Sequence, residues 1–464
     1  MKNAVIFYQF FLFACLTIVS LGCKKSYLDT KPSTAIIQPN SLQDLIDLME
    51  NPGILNATGA LPVLACDDYY YLDKAGWQAA RTATERNTYI WAKDVYGGET
   101  RIMDWNAPYQ SIFYANNVLE GLQTIDDSLE SSTFKFVKGW AYFTRAFEMY
   151  DLVKNYAPAF DSSSASTDLG IPLKLHAAIN DVEPRATVKE TYDQILSDLN
   201  IATQLLPSNY PAQHLNHPSK ISAYGLFARI YLSMRNYQKA GMYADSSLLL
   251  YSYLIDYNSL DTTSNRPFPI QNPESIFSIG QVTKYPSTIY FNIGQRISID
   301  TTLYDSYDPN DLRRCIFFQS PSPGQHIVKQ GYLGVGVYPY TGIAVDEMYL
   351  IRAEAYARMG NSNAALKDLN TLLAARFRSA AFNNVTASSA TEALSKILNE
   401  RRKELVWRGI RWSDLKRLNK EGANISLTRT LNGETYTLGP NDPRYIFNIP
   451  QDEIVLSGIR QNAR

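Results

Sequence analysis

Apolar and small residues recur at three- and four-residue steps along much of this chain, the period of helices that bury one face. The clearest run is residues 345–359, with Leu350, Ala353 and Ala357 on one stripe and Tyr349, Ala353 and Tyr356 on the next. Gly360 and Asn361 follow, and both tolerate the left-handed conformation in which helices end. A second run, Ala365, Leu366, Leu369, Leu372 and Leu373, starts at once, so the two helices must lie antiparallel. The same period predicts a helix capped by Ser41 and carrying Leu42, Leu45, Ile46 and Met49 inward. Further helices are predicted from Trp105 through Tyr109, Ile112, Phe113 and Val118, and across 137–156 with Trp140, Phe143, Phe147 and Tyr150 inward. Thr187 and Glu190 have capping-box spacing before a helix over 188–199. Helical runs over 222–250 and 393–418 complete the set.

An internal repeat emerges from these runs. Ala228, Tyr231 and Ala240 have the same mutual offsets as Ala353, Tyr356 and Ala365, and each set turns between its Tyr and its second Ala. That is the small/aromatic alternation of tetratricopeptide helix pairs, in which small residues let helices approach closely. The expected fold is mostly α, a tetratricopeptide-like array of about four pairs, with residues 394–418 supplying the fourth. Tyr231 and Tyr356 are expected in the core. Residues 254–340 interrupt the array. They lack helical periodicity and carry Tyr285, Tyr290, Phe317, Phe318, Tyr332 and Tyr338, a ring content that argues for an ordered, functional excursion. A second irregular stretch, residues 61–96, holds Asp67, Asp68, Tyr69, Tyr70, Tyr71, Trp77 and Trp91 with no stripe to account for them.

Composition changes the picture in one respect. Tyr is unusually abundant, 32 of 464 residues, and its flat apolar face with a polar tip suits stacking on sugars or peptides as well as packing. A net charge of −1 gives no reason to expect nucleic acid as a partner. The four His are scattered; His214 and His217 have no Cys or helical partner at zinc spacing. No nucleophile elbow, phosphate loop or dinucleotide fingerprint occurs, so no cofactor, metal or catalytic residue is expected. Adjacent acids such as Asp67 and Asp68 are no evidence of the separation that glycoside hydrolysis needs. Cys66 and Cys315 can form one bridge or none.

The start of the chain is more specific. A short basic opening, Lys2, precedes an almost unbroken apolar run over residues 4–20, which reads as an export signal. It stops at Ser20, Leu21, Gly22 and Cys23, which resembles a bacterial lipoprotein cleavage site, with Cys23 as the lipidated first residue of the mature chain.

Charges from Glu400 to Arg417 are spaced by three and four, so opposite charges meet along one face. Each exposed pair would contribute only tenths of a kcal/mol. The two readings are a buried Arg/Glu network at a bend near Gly409 and a ligand site. The run Leu350-Ile351-Arg352-Ala353-Glu354-Ala355-Tyr356, followed by Glu400-Arg401-Arg402-Lys403-Glu404-Leu405, Gly409, Arg411, Asp414 and Leu415, resembles the C-terminal signature of the SusD/RagB nutrient-binding outer-membrane lipoproteins. Arg408 stands where that family usually has Glu, and Trp407 where Phe is common, which leaves the local ion pairing open. Residues 23–32 and 440–454 resemble the family's opening and closing segments, so the likeness spans the mature chain.

This resemblance implies a signal peptide over 1–22, a SusD-like N-terminal region over 23–235 and a RagB/SusD C-terminal region over 236–464, together forming one compact mature body. It also implies a lipid-anchored protein facing the cell surface, which captures an oligosaccharide or similar nutrient and delivers it to a SusC-like TonB-dependent transporter. A glycoside hydrolase and a protein-binding helical scaffold are the competing readings. For a glycan site, the ring-rich segments outside the helical array are the natural suppliers, with Tyr70, Trp77, Trp91, Tyr285, Tyr290 and Tyr332 for stacking and Asp68 as an edge acceptor.

Overall fold

The computed structural model describes residues 39, 41–55, 57–125, 131–178, 181–290 and 296–464. The export segment, Cys23 and the lead that follows lie outside these residues. The chain divides into a unit Met1–Ser41 and a unit Leu42–Arg464; of the first, only Pro39 and Ser41 are described. Everything below concerns the second.

The principal helices, numbered in chain order, are α1 (Leu42–Met49), α2 (Leu61–Ala65), α3 (Met103–Gly121), α4 (Ser132–Tyr156), α5 (Val188–Leu205), α6 (Lys220–Ser233), α7 (Tyr237–Leu250), α8 (Val345–Arg358), α9 (Ser362–Ala374), α10 (Ala390–Glu404), α11 (Arg411–Lys420) and α12 (Gln451–Ser457). From α3 to α9 each helix packs on the next, and α10 lies across α8. The predicted repeat is present in detail. Ala228, Ala240, Ala353 and Ala365 are all fully buried where helices meet. In both pairs an Asn caps the second helix, Asn236 accepting from Lys239 N and Asn361 from Ala364 N, each at 3.1 Å. The residue before each cap has positive φ, Arg235 at 61° and Gly360 at 82°. A Cβ on Gly241 would stand 2.8 Å from Ala355 Cβ, so the backbones of α7 and α8 approach too closely for a larger residue. Thr187 and Glu190 form the predicted capping box.

Two expectations are corrected. Tyr231 is buried, but Tyr356 is only half-buried, on the flank of its cluster. Nor does α11 complete a fourth antiparallel pair with α10. The chain turns through Trp407 and Gly409, at φ 62° and 68°, and α11 settles on α2 and α6.

The excursion is tied to the N-terminal loop region by short strands. Ala57–Thr58 (β1) runs parallel to Gly280–Gln281 (β4); Tyr69–Tyr71 (β2) is antiparallel to Ile297–Ile299 (β5); Ser275–Phe277 (β3) is antiparallel to Ile343–Ala344 (β6). Beneath them runs a network of buried charge. Arg313 binds Asp311, Glu400 and Glu404 at 2.6–2.9 Å, and Arg376 binds Glu404 at 2.8 Å and Glu274 at 2.9 Å. Arg229 pairs with Glu347, Arg401 with Asp414, and Arg417 with Glu354. The charge pattern at the bend is therefore a structural network. Arg408, the departure from the family pattern, has its own partner in Asp346 at 2.7 Å and lies over the rings of Tyr332 and Tyr340. Cys66 and Cys315 are both free thiols.

Candidate functional site

Residues 69–91 and the excursion pack against each other. Glu85, fully buried, caps its own helix at Thr82 and accepts from both the backbone N (2.8 Å) and Oγ (2.7 Å) of Ser287. Tyr71 OH lies 2.7 Å from the same Ser287 hydroxyl, and Trp407 Nε1 donates to Thr288 O at 3.1 Å. The two ring-rich segments are thus held together by buried polar contacts, each of which would be expensive to leave unmade.

Most of the rings chosen from sequence seal this junction. Trp91 is buried, at φ 53°, and donates Nε1 to Ala65 O. Tyr285 donates to Asp104 Oδ2 at 2.6 Å, and Tyr332 to Glu274 at 2.7 Å. The Tyr290 hydroxyl accepts from Tyr340 N at 3.3 Å. All four rings are interior, with polar tips satisfied by the protein, so none presents a face to a ligand. Asp68 is also interior. Its neighbour Asp67 takes the cations, gripped by Arg411 through two bonds of 2.8 Å and by Arg402 at 3.1 Å. That leaves Asp68 with Trp407 N at 3.4 Å, and its Oδ1 has no partner among the described residues. Burial, aided by the Asp67 charge, pushes the Asp68 carboxyl up to about 6, while Arg411 and Arg402 hold Asp67 well below the usual carboxylate range. Asp68 is therefore not an edge acceptor.

Two of the chosen rings are accessible. Strand alternation turns Tyr69 and Tyr71 inward and leaves Tyr70 half-buried on the other side of β2. Trp77 is half-buried on the short helix Lys74–Gln78, its indole fixed by a 3.0 Å bond to Arg86 O. Beside it, Asp73 caps that helix at Gly76 N and pairs with Arg296 at 3.0 Å. A third accessible ring was not selected from sequence. Tyr338 is half-buried, donates to Thr283 O at 2.9 Å, and lies near enough to Glu85 and Arg81 for both charges to act on its hydroxyl, which burial pushes up.

Tyr338 stands at the edge of a cleft of about 370 Å³. Gln213, Asn216, Gln271 and Gln281 line the cleft among aliphatic residues such as Ile270 and Val335; Gln213 and Gln271 are exposed, whereas Gln281 is buried. Gln281 donates to Thr288 Oγ1, and its Oε1 has no partner among the described residues. No sequence signal picks out these amides, because they come from separate loops. An amide offers both donors and an acceptor, so a set of them matches the mixed demands of sugar hydroxyls, while the adjacent ring supplies an apolar face. Neither Asp67 nor Asp68 lines the cleft. His214 and His217 stack at 4.6 Å, and His217 Nε2 lies 2.5 Å from Glu50. No group of three or more His, Cys, Asp or Glu among the described residues is placed to hold a metal.

Comparison with known proteins bears on this geometry. Residues 26–232 match a SusD-like family model described as starch-binding and associating with the outer membrane, and residues 345–462 match the SusD family model. A SusD-like protein of Formosa agariphila, P2, is 25% identical over 382 residues, 68% of this chain and 71% of that protein. A SusD superfamily structure from Bacteroides vulgatus superposes with a TM-score of 0.72 at 20% identity, covering 91% of this chain and 99% of its own. One from Bacteroides fragilis gives 0.72 at 22% identity, covering 91% and 99%. A SusD-like carbohydrate-binding protein from Bacteroides vulgatus gives 0.66 at 19%, covering 90% and 97%. With both halves of the sequence matched by SusD models and the helical array shared with these structures, the chain belongs to the SusD/RagB family.

Proposed function

We propose that this protein captures an oligosaccharide in the cleft beside Tyr338 and delivers it, without chemistry, to a SusC-like TonB-dependent transporter at the cell surface. One observation carries the reading: a cleft carrying exposed carboxamides opens beside an accessible ring, between the excursion and the loop before α6. Trp77 and Tyr70 are the other accessible rings among those chosen, and Asp73, paired with Arg296, caps the helix that carries Trp77. Family membership supports a glycan as the ligand. The mature chain on this reading starts at lipidated Cys23, and its regions 23–235 and 236–464 act as one body. No helix among the described residues is long and apolar enough to cross a membrane.

The test is retention of a panel of soluble polysaccharides in affinity gels, with product analysis for hydrolysis. The mature protein should slow in at least one gel and release no shorter glycan. Tyr338→Ala and Gln271→Ala together should abolish the retardation with the fold intact. Retention untouched by this double variant moves the site elsewhere, and turnover makes the protein an enzyme. Cys23→Ala should leave the membrane fraction, and a transporter of the stated type should co-purify with the wild-type protein.

A further inference from the structure

A second concavity lies away from the cleft, along the first half of α3. It encloses about 540 Å³, within the range of ligand pockets. Its floor is a single stripe of α3, Trp105, Tyr109 and Phe113 at four-residue spacing. Trp105 is sealed against Tyr156, but Tyr109 and Phe113 are only half-buried. The opposite wall is α12, a helix that buries none of its residues although it carries Ile454, Val455 and Leu456. Of the residues that line the groove, Leu456 is 82% exposed and Val182 57%. With the Tyr109–Phe113 stripe they make an apolar concavity rimmed by polar residues, the kind of surface that marks an interaction site.

Charge completes the description. The lining contains three carboxylates, Asp181, Glu183 and Glu453, against one ammonium, Lys174, which donates to the Asp181 carbonyl. None of the three carboxylates has an ion-pair partner among the described residues, and Glu453 lies near enough to the Tyr109 hydroxyl to act on its ionisation. The carboxylates distinguish this groove from the glycan cleft, whose lining carries no charged side chain.

We infer that this groove seats a segment of another protein that carries aliphatic side chains flanked by Lys or Arg. The aliphatic groups lie between Leu456 and the Tyr109–Phe113 stripe, and the cations meet Glu453, Glu183 and Asp181 at the rim. Such a contact joins an apolar anchor to acidic edges, the usual anatomy of a protein interface. It is separate from the glycan cleft and does not depend on it.

The probe is a labelled peptide, acetyl-Ala-Leu-Lys-Leu-Ala-Lys-amide, with a control in which both lysines are glutamates, titrated by fluorescence anisotropy into the whole mature protein. The lysine peptide should bind at least about fivefold more tightly than the control, the difference shrinking as salt is raised. Leu456→Asp, at an exposed position, should weaken it about tenfold or more with no change in melting temperature. Glu453→Lys should reverse the preference between the two peptides. Equal binding of both peptides, or indifference to Leu456→Asp, overturns the inference. So does displacement of the peptide by an oligosaccharide, which would make this a sugar groove. Self-association of the protein abolished by Leu456→Asp, with no peptide binding, would assign the face to a second copy and equally overturn it.

Discussion

A ring in a loop without helical periodicity either shows its face to solvent or closes the core beneath the loop, and burial alone distinguishes the two. The excursion lines the cleft, but the lining takes nothing from residues 61–96, whose Glu85 and Arg81 come near Tyr338 at its edge. Sequence could not separate Trp77 from Trp91, because the difference is made by Ala65 O, a partner brought from elsewhere in the chain. The carboxamides were illegible for the same reason. Trp77→Ala should weaken glycan retention in affinity gels and shift the melting temperature little. Tyr290→Ala should instead cost roughly 3 kcal/mol or more in a urea titration, as expected for a large-to-small change in a packed cluster. The acids beneath the junction give a prediction for pH. With its folded pKa near 6 against about 3.9 unfolded, Asp68 holds its proton more tightly in the folded chain. Its contribution is fully favourable below about pH 4 and is lost as pH rises through about 6. Asp67 acts oppositely, its contribution present above about pH 4 and lost below. Stability of the wild type relative to Asp68→Asn should therefore fall between pH 4 and 7, by something of order 1–3 kcal/mol, measured by denaturant titration across that range. A flat difference would place Asp68 in solvent.

At the scale of elements, the repeated turn was legible because its determinants are local: a positive-φ residue, an Asn cap and small residues at fixed offsets. Asn361→Ala should cost about 1 kcal/mol by removing the cap acceptor. Arg235, in the place of Gly360, carries a Cβ in the left-handed region, so Arg235→Gly should raise stability by about 1 kcal/mol. Both are read from melting temperatures at fixed pH. The bend near Gly409 was among the readings of the sequence, but the seat of α11 was harder to foresee. The charge pattern continues past Gly409 as though one helix ran on. Its end is fixed by the left-handed turn at Trp407 and Gly409 and by the seat that α11 finds on α2 and α6, neither of which is written in the helical period.

Across the whole molecule, buried charge couples elements far apart in sequence. Glu404 accepts from Arg313 and Arg376, both fully enclosed. Glu404→Gln removes a charge they share, leaves Arg376 with Glu274 and Arg313 with Asp311 and Glu400, and should cost about 1.5–3 kcal/mol in a denaturant titration. The pairing of β1 with β4, more than two hundred residues apart, left no local trace in sequence. The close packing of α7 on α8 has a further consequence. They run antiparallel, with Arg358 over Tyr237, Arg352 bound to Asp245 and Tyr349 OH near Ser252 O, so the residues where the excursion leaves and returns are already neighbours. Closing a loop between fixed neighbouring ends depends weakly on its length, about 0.6 kcal/mol per doubling. The array thus behaves as a socket into which excursions of different length can be exchanged. Glu274 and Arg313 are the two plugs such a graft must keep, because Arg376 and Glu404 wait in the socket for them. Exposed residues that face the cleft and pair with nothing in the socket, such as Gln271 and Val335, are free to diverge, so on the proposed reading ligand preference can change over generations while the helices beneath stay as they are.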